Sequence, residues 1–450
     1  MSAPLYKRLK SYADKNRISF AMPGHKNGRG LRADLLSLDV TELDETENLH
    51  SGGEYVKSAQ KLLSKLYGSD RSYILTGGST AALQAMTCSA VKPGETLLAG
   101  SDCHMSVINT CALLGIKIKL FPKEIDEEFC VPKHNVDLKK YLTEDIKAVI
   151  ITSPNYYGIC SDVKGIADMC HAINIPLLVD EAHGAHFVAD SRFPDTAVKY
   201  ADAVCQSAHK TLNAMNGAAY LHINGSFIDR YRLKKALSMF QSSSPSYVIA
   251  ASADTAREEI ANGEKWHETY NICTDFRERI LETGIKALDN DDITRIVLNF
   301  SDFNMTGFEA GKLLSDMGID IEMADLINIV LIVTASNTRE DLDKLHGALS
   351  RIISKDRKLG KKIRVSAPPI CADTISPKEA FFAGRKEIGL TDSEGFVSGD
   401  SVMIYPPGIP IIYMGEKIRK EQIEYIEKMS AEGAEVKGIT ADGRITVTDE

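Results

Sequence analysis

The sequence predicts an α/β protein: a mostly parallel, seven-stranded sheet with helices on both faces, followed by a smaller α+β C-terminal domain. Three observations predict it. From about residue 70 to 225, short β-rich runs alternate with helical stretches. Several of those runs are continuously apolar, as strands covered on both faces require. Beyond residue 287 the texture changes to shorter mixed elements.

Taken in order, residues 1–50 read as an N-terminal arm, 51–290 as the large domain and 291–450 as the small domain. The strands expected in the large domain are Tyr73–Thr76, Thr96–Ala99, Ile116–Phe121, Ala148–Thr152, Pro176–Val179, Ala203–Gln206 and Ala218–Ile223. Seven of them make an open doubly wound sheet. Between them, Ala81–Val91, Met105–Leu114 and Val163–Ile173 have helical apolar spacing, and Asp162 is placed to cap the third. A helical stretch covers 226–287. Then come a strand at Ile293–Phe300, a helix near Glu309–Met317, strands near Ile319–Met323 and Ile327–Thr334, and a helix at Arg339–Ser354. The basic segment Lys355–Lys362 reads as a solvated linker, and the chain closes with a helix near Glu416–Glu432 and a hairpin turning at Ala441-Asp442-Gly443.

Composition narrows the function. The 450 residues carry 53 Lys+Arg against 62 Asp+Glu, a net charge of −9, with 44% hydrophobic and 26% charged residues. That balance argues against a nucleic-acid binder. No run of about eighteen apolar residues is present and no apolar stretch follows the first basic residues, so neither a membrane span nor secretion is expected. Nine cysteines, an odd number without a C-x-x-C pair, fit free thiols in a reducing cytoplasm.

In doubly wound sheets ligands bind beyond the carboxyl ends of the strands, and polar clusters mark those ends here. Thr76-Gly77-Gly78-Ser79-Thr80 follows a strand and opens a helix. Its glycines let backbone approach a ligand closely, the helix end supplies unpaired N–H groups, and the hydroxyls add donors, which together suit a phosphate. It is not a Walker A loop, because no Gly-Lys-Ser/Thr follows, and such a turn also serves as a plain connection. Asp180 ends a buried strand, placed to hold a cationic ring nitrogen or, with Glu181, His183 and His186, a metal. A capped turn with bystander histidines is the alternative. Lys210 stands just past a strand in Ser207-Ala208-His209-Lys210, where an amine could form a Schiff base. His104, in Gly100-Ser101-Asp102-Cys103-His104, faces the same crevice; it could stack on a ring, or sit idle beside a cap at Ser101 or Asp102. A phosphate cradle, a strand-end Asp and a strand-end Lys are what pyridoxal phosphate needs.

These residues, in this order, resemble the fold-type I pyridoxal-phosphate enzymes, the aspartate-aminotransferase-like superfamily. Within it the chain is similar to the bacterial-type ornithine/lysine/arginine decarboxylases. The matching stretches are Met22-Pro23-Gly24-His25-Lys26, Asp39-Val40-Thr41-Glu42-Leu43, Gly77-Gly78-Ser79-Thr80, Asp102-Cys103-His104, Asp180-Glu181-Ala182-His183-Gly184, Ser207-Ala208-His209-Lys210, Met239–Tyr247 and Tyr405–Pro410.

The resemblance implies that Lys210 forms the Schiff base with pyridoxal 5'-phosphate, that Asp180 pairs with the pyridinium nitrogen, and that His104 stacks on the ring. It implies that Ser79, Thr80, Ser207 and His209 hold the phosphate, with Gly78 and His183 completing the cofactor-binding set. No metal is expected. It also implies a homodimer or tetramer with active sites at the dimer interface, Ser243 reaching the neighbouring chain's phosphate. The implied reaction is decarboxylation of a basic amino acid (arginine, lysine or ornithine) to a di- or polyamine precursor, with a proton returned to Cα by His104 or Lys210. With the Pro-Gly-His motif starting at residue 23, no N-terminal wing domain is expected.

The chain departs from the family pattern at Leu49–Glu54, at Met105 and at Met414-Gly415-Glu416, which leaves the cofactor set whole and the substrate open. An aminotransferase or Cβ-lyase would share the cofactor residues. The former wants a small-domain arginine for the substrate carboxylate, and neither Arg364 nor Arg385 lies in a motif for that role. A non-catalytic regulatory protein would be signalled by loss of Lys210 or Asp180, and both are present.

Overall fold

Seven strands carry the large domain: β1 (Arg71–Leu75), β2 (Thr96–Gly100), β3 (Lys117–Phe121), β4 (Ile146–Thr152), β5 (Leu177–Asp180), β6 (Ala203–Gln206) and β7 (Ala219–Ile223). They come from a computed structural model that describes residue 8 and residues 11–135, 137–354, 375–404 and 409–449. Their spatial order is β1-β7-β6-β5-β4-β2-β3, and β7 alone runs antiparallel to its neighbours. Each expected strand is present, with ends moved by no more than two residues.

The sheet is apolar on both sides, and the two-residue period sorts its side chains between two cores. Val149, Ile151, Leu177 and Val179 enter one core; Ala148, Ile150 and Leu178 enter the other. Four helices interleave with the strands: α1 (Glu54–Tyr67), α2 (Gly78–Ala90), α3 (Met105–Leu114) and α4 (Val163–Ala172). Helix α4 supplies Val163 and Ile166 to the first core, while α2 and α3 supply Met86 and Val107 to the second. The Asp162 side chain caps α4 by accepting the Gly165 N–H at 2.9 Å.

The helical stretch after β7 resolves into Arg230–Phe240, Tyr247–Asn262 and Glu264–Glu282. A four-stranded antiparallel sheet follows, ordered Lys286–Ala287, Arg295–Asn299, Asn328–Ile332, Met323–Ala324, with helices Gly307–Asp316 and Arg339–Ser354 against it. The N-terminal arm is stitched into this unit. Ile18–Ser19 pairs in parallel with Ile319–Asp320, and Phe20, 0% exposed, belongs to its core.

Residues 385–404 and 409–448 pack around a core that includes Val402, Ile412, Ile426 and Val447. The span expected as one small domain contributes to several hydrophobic clusters, one of which joins Leu326 and Ile327 to Met429 and Ala434. The closing helix is shorter than its sequence suggests, Lys420–Ala431, because the Glu416 carboxylate is buried and accepts the Tyr413 N–H (2.7 Å) and the Gln422 amide (2.8 Å). The Lys355–Lys362 segment, Arg364 and Tyr405–Gly408 lie outside the described residues. Among the described residues no helix is long and apolar enough to cross a membrane.

Candidate active site

The expected strand-end clusters meet at one edge of the sheet. Asp180 is the last residue of β5, Lys210 sits in the short helical turn Ala208–Thr211 after β6, and His104 precedes α3. The field of Asp180 favours protonation of both His104 and Lys210, which places the three groups together. Asp180 is 5% exposed, and its Oδ1 accepts the Ala182 N–H at 3.1 Å and the Cys205 thiol at 3.5 Å.

His104 is itself the N-cap of α3, where Ser101 or Asp102 was the alternative. Its Nδ1 accepts the Ser106 N–H at 3.2 Å, so the neutral ring carries its proton on Nε2. Burial holds its pKa below the ordinary histidine value. A capping role thus fixes the ring that the crevice needs for stacking.

The expected phosphate cradle is built from two loops. Gly78 has φ +71° and sends its N–H to the Gly217 carbonyl (2.8 Å), a left-handed start that turns the chain from β1 into α2. The Ser207 hydroxyl donates to Ser79 Oγ at 2.8 Å, closing the loop after β6 onto the start of α2. Thr80 is exposed on the first turn of α2. His209 is constrained differently from expectation. Its Nδ1–H donates to the Ala218 carbonyl (2.9 Å) and burial pushes its pKa down to about 4, so the neutral ring offers Nε2 as an acceptor and donates to a phosphate only after taking a proton.

Lys210 is partly buried. Its Nζ lies 3.1 Å from His183 Nε2, and burial lowers its pKa against the opposing fields of Asp180 and Glu322. On the far side of His183, Arg295 Nη2 donates to Nδ1 at 2.9 Å. The Tyr156 ring packs edge-on to His183, centroids 4.9 Å apart, and its hydroxyl donates to Glu322 Oε1. Glu322 Oε2 accepts the Met22 N–H at 2.7 Å.

The Pro-Gly-His segment is thereby part of the site. Gly24 N–H donates to the His209 carbonyl (2.8 Å), and the Gly24 carbonyl accepts from Thr334 (2.7 Å). Lys26, 0% exposed, donates to the Ala21 carbonyl, and burial brings its pKa down to about 7. A Cβ on Gly24 would lie 2.4 Å from the Leu212 carbonyl oxygen and 2.8 Å from the Thr211 carbonyl carbon, both backbone. Gly24→Ala should therefore lower stability by about 1–3 kcal/mol, read by thermal unfolding, and misplace the Lys210 turn, lowering turnover by roughly 10²-fold.

The metal alternative at Asp180, Glu181, His183 and His186 does not assemble. His183 turns to Lys210 and Arg295, while His186 pairs with Asp292 at 3.2 Å and stacks on Trp266. Glu181 accepts from Thr196, the Ala197 N–H and Gln206, and burial raises its pKa to about 7. Ser243 is exposed in the loop before helix Tyr247–Asn262, two residues past Gln241, whose Oε1 accepts the Thr76 N–H at 3.1 Å. Arg385 is exposed on its strand, with its guanidinium over the Phe381 ring.

Sequence reasoning missed Tyr156, Glu322 and Arg295, and left the buried Lys26 without a role. Asn155-Tyr156-Tyr157-Gly158 follows β4 and was open to the same strand-end argument as the other clusters. Glu322 sits between two two-residue strands, and Arg295 opens an apolar strand; neither position carries a local motif.

The residues present fit pyridoxal phosphate: a partly buried lysine of lowered pKa, a buried strand-end carboxylate, a capped imidazole and hydroxyls gathered at the start of a 13-residue helix. Comparison with known proteins agrees. The family model described as Orn/Lys/Arg decarboxylase, major domain, matches residues 3–297, and that described as Orn/Lys/Arg decarboxylase, C-terminal domain, matches residues 371–443. The arginine decarboxylase of Bacillus subtilis is 30% identical, the match covering 97% of this chain and 95% of that protein. Among solved structures, the lysine decarboxylase of Francisella novicida matches at TM-score 0.79 and 19% identity, over 99% of this chain and 81% of that chain. A structure described as SPT with PLP matches at TM-score 0.58 and 14% identity, over 75% of this chain and 88% of that chain.

Proposed function

The chain belongs to the Orn/Lys/Arg decarboxylase family, is an amino-acid decarboxylase for a basic substrate on a fold-type I scaffold, and we propose that among the three substrates of that family it takes arginine. The observation that carries arginine is the 30% identity to the Bacillus subtilis arginine decarboxylase along nearly the whole of both chains, against 21% to the inducible lysine decarboxylase of Escherichia coli.

The site supplies a reason for a cationic side chain. Within one chain Asp392 and Glu394 are exposed and Glu416 is tied to Tyr413 and Gln422. Glu322 is the acid whose field, with that of Asp180, reaches the Lys210 amine. Each of its oxygens keeps a second lone pair beyond the bonds to Tyr156 and Met22, so the carboxylate can take a planar guanidinium fork. Glu322→Gln keeps the shape and removes the charge. It should raise KM for arginine about 10–100-fold, from the ~1.5–3 kcal/mol of a charge-assisted hydrogen bond, while leaving cofactor binding intact; an unchanged KM would remove Glu322 from substrate recognition.

Pyridoxal phosphate, when bound, supplies an aldehyde to carry the substrate amine and a ring that takes up the electron pair left as carbon dioxide departs. Lys210 provides the amine that holds and releases that aldehyde. Asp180 sets a buried negative charge where a protonated ring nitrogen needs one. His104 presents Nε2–H from its fixed position on α3, and Ser79, Ser207 and the first turn of α2 receive the phosphate. The proton returned to Cα comes from His104 or Lys210. Ser243 is assigned to the neighbouring chain's phosphate in a homodimer. We place the protein in the cytoplasm, since its nine cysteines contain no C-x-x-C pair.

The test is to incubate the protein and cofactor with arginine, lysine and ornithine separately, following carbon dioxide and identifying the amine by mass spectrometry. Agmatine is expected. Cadaverine or putrescine as the main product would reassign the substrate, and carbon dioxide from none of the three would overturn the reading.

A further inference from the structure

Arg295 is the largest fully buried side chain among the described residues, 1% exposed, and it opens the strand Arg295–Asn299 of the small four-stranded sheet. Its surroundings are unusual for a buried cation. Nη2 donates to His183 Nδ1 at 2.9 Å, whereas among the described residues Nε and Nη1 have no hydrogen-bond partner. The acid nearest in sequence, Asp292, bonds His186 (3.2 Å) and Thr294 (2.6 Å) through Oδ1 and meets Arg295 through its field alone. A guanidinium held in the interior with an imidazole as its hydrogen-bonded partner is expensive if its role is only to pack.

We propose that Arg295 is a positioning residue for the catalytic lysine: through His183, it locks the imidazole in the tautomer that presents Nε2–H to Lys210 Nζ and so holds that amine neutral for capture of the cofactor aldehyde. The argument is one of donor counting. A guanidinium only donates, so the His183 Nδ1 that faces it must carry a lone pair. The neutral ring then bears its proton on Nε2, which lies 3.1 Å from Nζ. An ammonium there would oppose N–H to N–H, so Nζ must be the acceptor, a neutral amine. A doubly protonated His183 is excluded in the same way, because a second N–H would confront the guanidinium.

Charge agrees with geometry. Facing Lys210 are Asp180 on β5, Cys205 on β6 and Glu322, which favour the ammonium, and Arg295, which opposes it. Facing His183 are Lys210, Arg295, His104 and His209, all of which disfavour its cation, and the Tyr156 ring edge. With burial, the balance keeps both groups below their ordinary pKa values. The proposal rests on Lys210 being the cofactor-binding lysine.

The test mixes apoprotein with pyridoxal phosphate and follows the rise of the visible band against pH, with borohydride trapping and peptide mapping to identify the lysine. In the wild type the rate should level off at a pH well below the pKa of a free lysine. Arg295→Met should move that inflection up by about one unit, a tenfold slower capture at neutral pH, and Arg295→Lys, which restores the cation, should bring it part of the way back. An unmoved inflection in Arg295→Met with Lys210 still trapped overturns the proposal. Trapping of a different lysine overturns instead the assignment on which it rests. A second measurement needs no Arg295 variant: in wild-type apoprotein carrying ¹⁵N-histidine, the His183 resonances, identified by their loss in His183→Gln, should report a bare Nδ1 and a protonated Nε2 between pH 6 and 8. A proton on Nδ1 overturns the proposal as well.

Discussion

Lys210→Ala is expected to abolish decarboxylation and covalent capture of pyridoxal phosphate together, while the fold survives. The side chain is partly buried and its Nζ meets His183 Nε2 at 3.1 Å, so alanine removes one hydrogen-bond partner of His183 and little packed surface. Chemistry suffers far more than packing. A nucleophile and a proton donor are both removed, and the loss should be on the order of 10⁴-fold or more in turnover. The cradle of Ser79, Ser207 and the α2 N-terminus is untouched, so the cofactor should still bind reversibly, without the visible band of the attached form and without borohydride trapping. Detection of a trapped cofactor on another lysine would transfer the role away from Lys210. Residual activity within tenfold of the wild type would do the same.

Much of this site was legible because its parts are local. Asp180, Lys210, His104 and Ser79 each follow directly on a strand that the apolar runs reveal, and Ala203–Gln206 matches its expected bounds to the residue. Once the strands are in register, their carboxyl ends must gather, and the clusters come with them. The unread half depends on docking of distant segments. Arg295 reaches His183 across 112 residues of sequence, and Tyr156 reaches Glu322 across 166. Both contacts exist because the small sheet packs against the strand ends, a placement that neither periodicity nor spacing encodes. The same holds at the N-terminus, where two residues, Ile18 and Ser19, pair with Ile319 and Asp320 and thereby carry Gly24 to the Lys210 turn. A two-residue strand has no detectable alternation. In the C-terminal span, apolar positions announce burial, but which of them share a core is settled by topology, as where Leu326 and Ile327 meet Met429 and Ala434.

Asp180→Asn is the second large effect, and it separates charge from shape. Asn is nearly isosteric, and its amide oxygen can still accept the Ala182 N–H and the Cys205 thiol that Oδ1 now takes, so β5 and the turn after it should hold their places. What disappears is the buried negative charge that favours protonation of His104 and Lys210 and would face a protonated ring nitrogen. Removing one preorganised electrostatic partner from such a site lowers turnover by about 10²–10³-fold. Two further consequences follow from the same field. The pKa values of Lys210 and His104, already depressed by burial, should fall further once the carboxylate that raises them is gone, so capture of the cofactor aldehyde should level off at lower pH than in the wild type. Trapping by Lys210 should persist, in contrast to Lys210→Ala. Near-normal turnover in Asp180→Asn with an unshifted capture profile would deny Asp180 its electrostatic role; slow turnover with capture intact and shifted downward in pH would place the loss in the stabilisation of charge rather than in the binding of the cofactor.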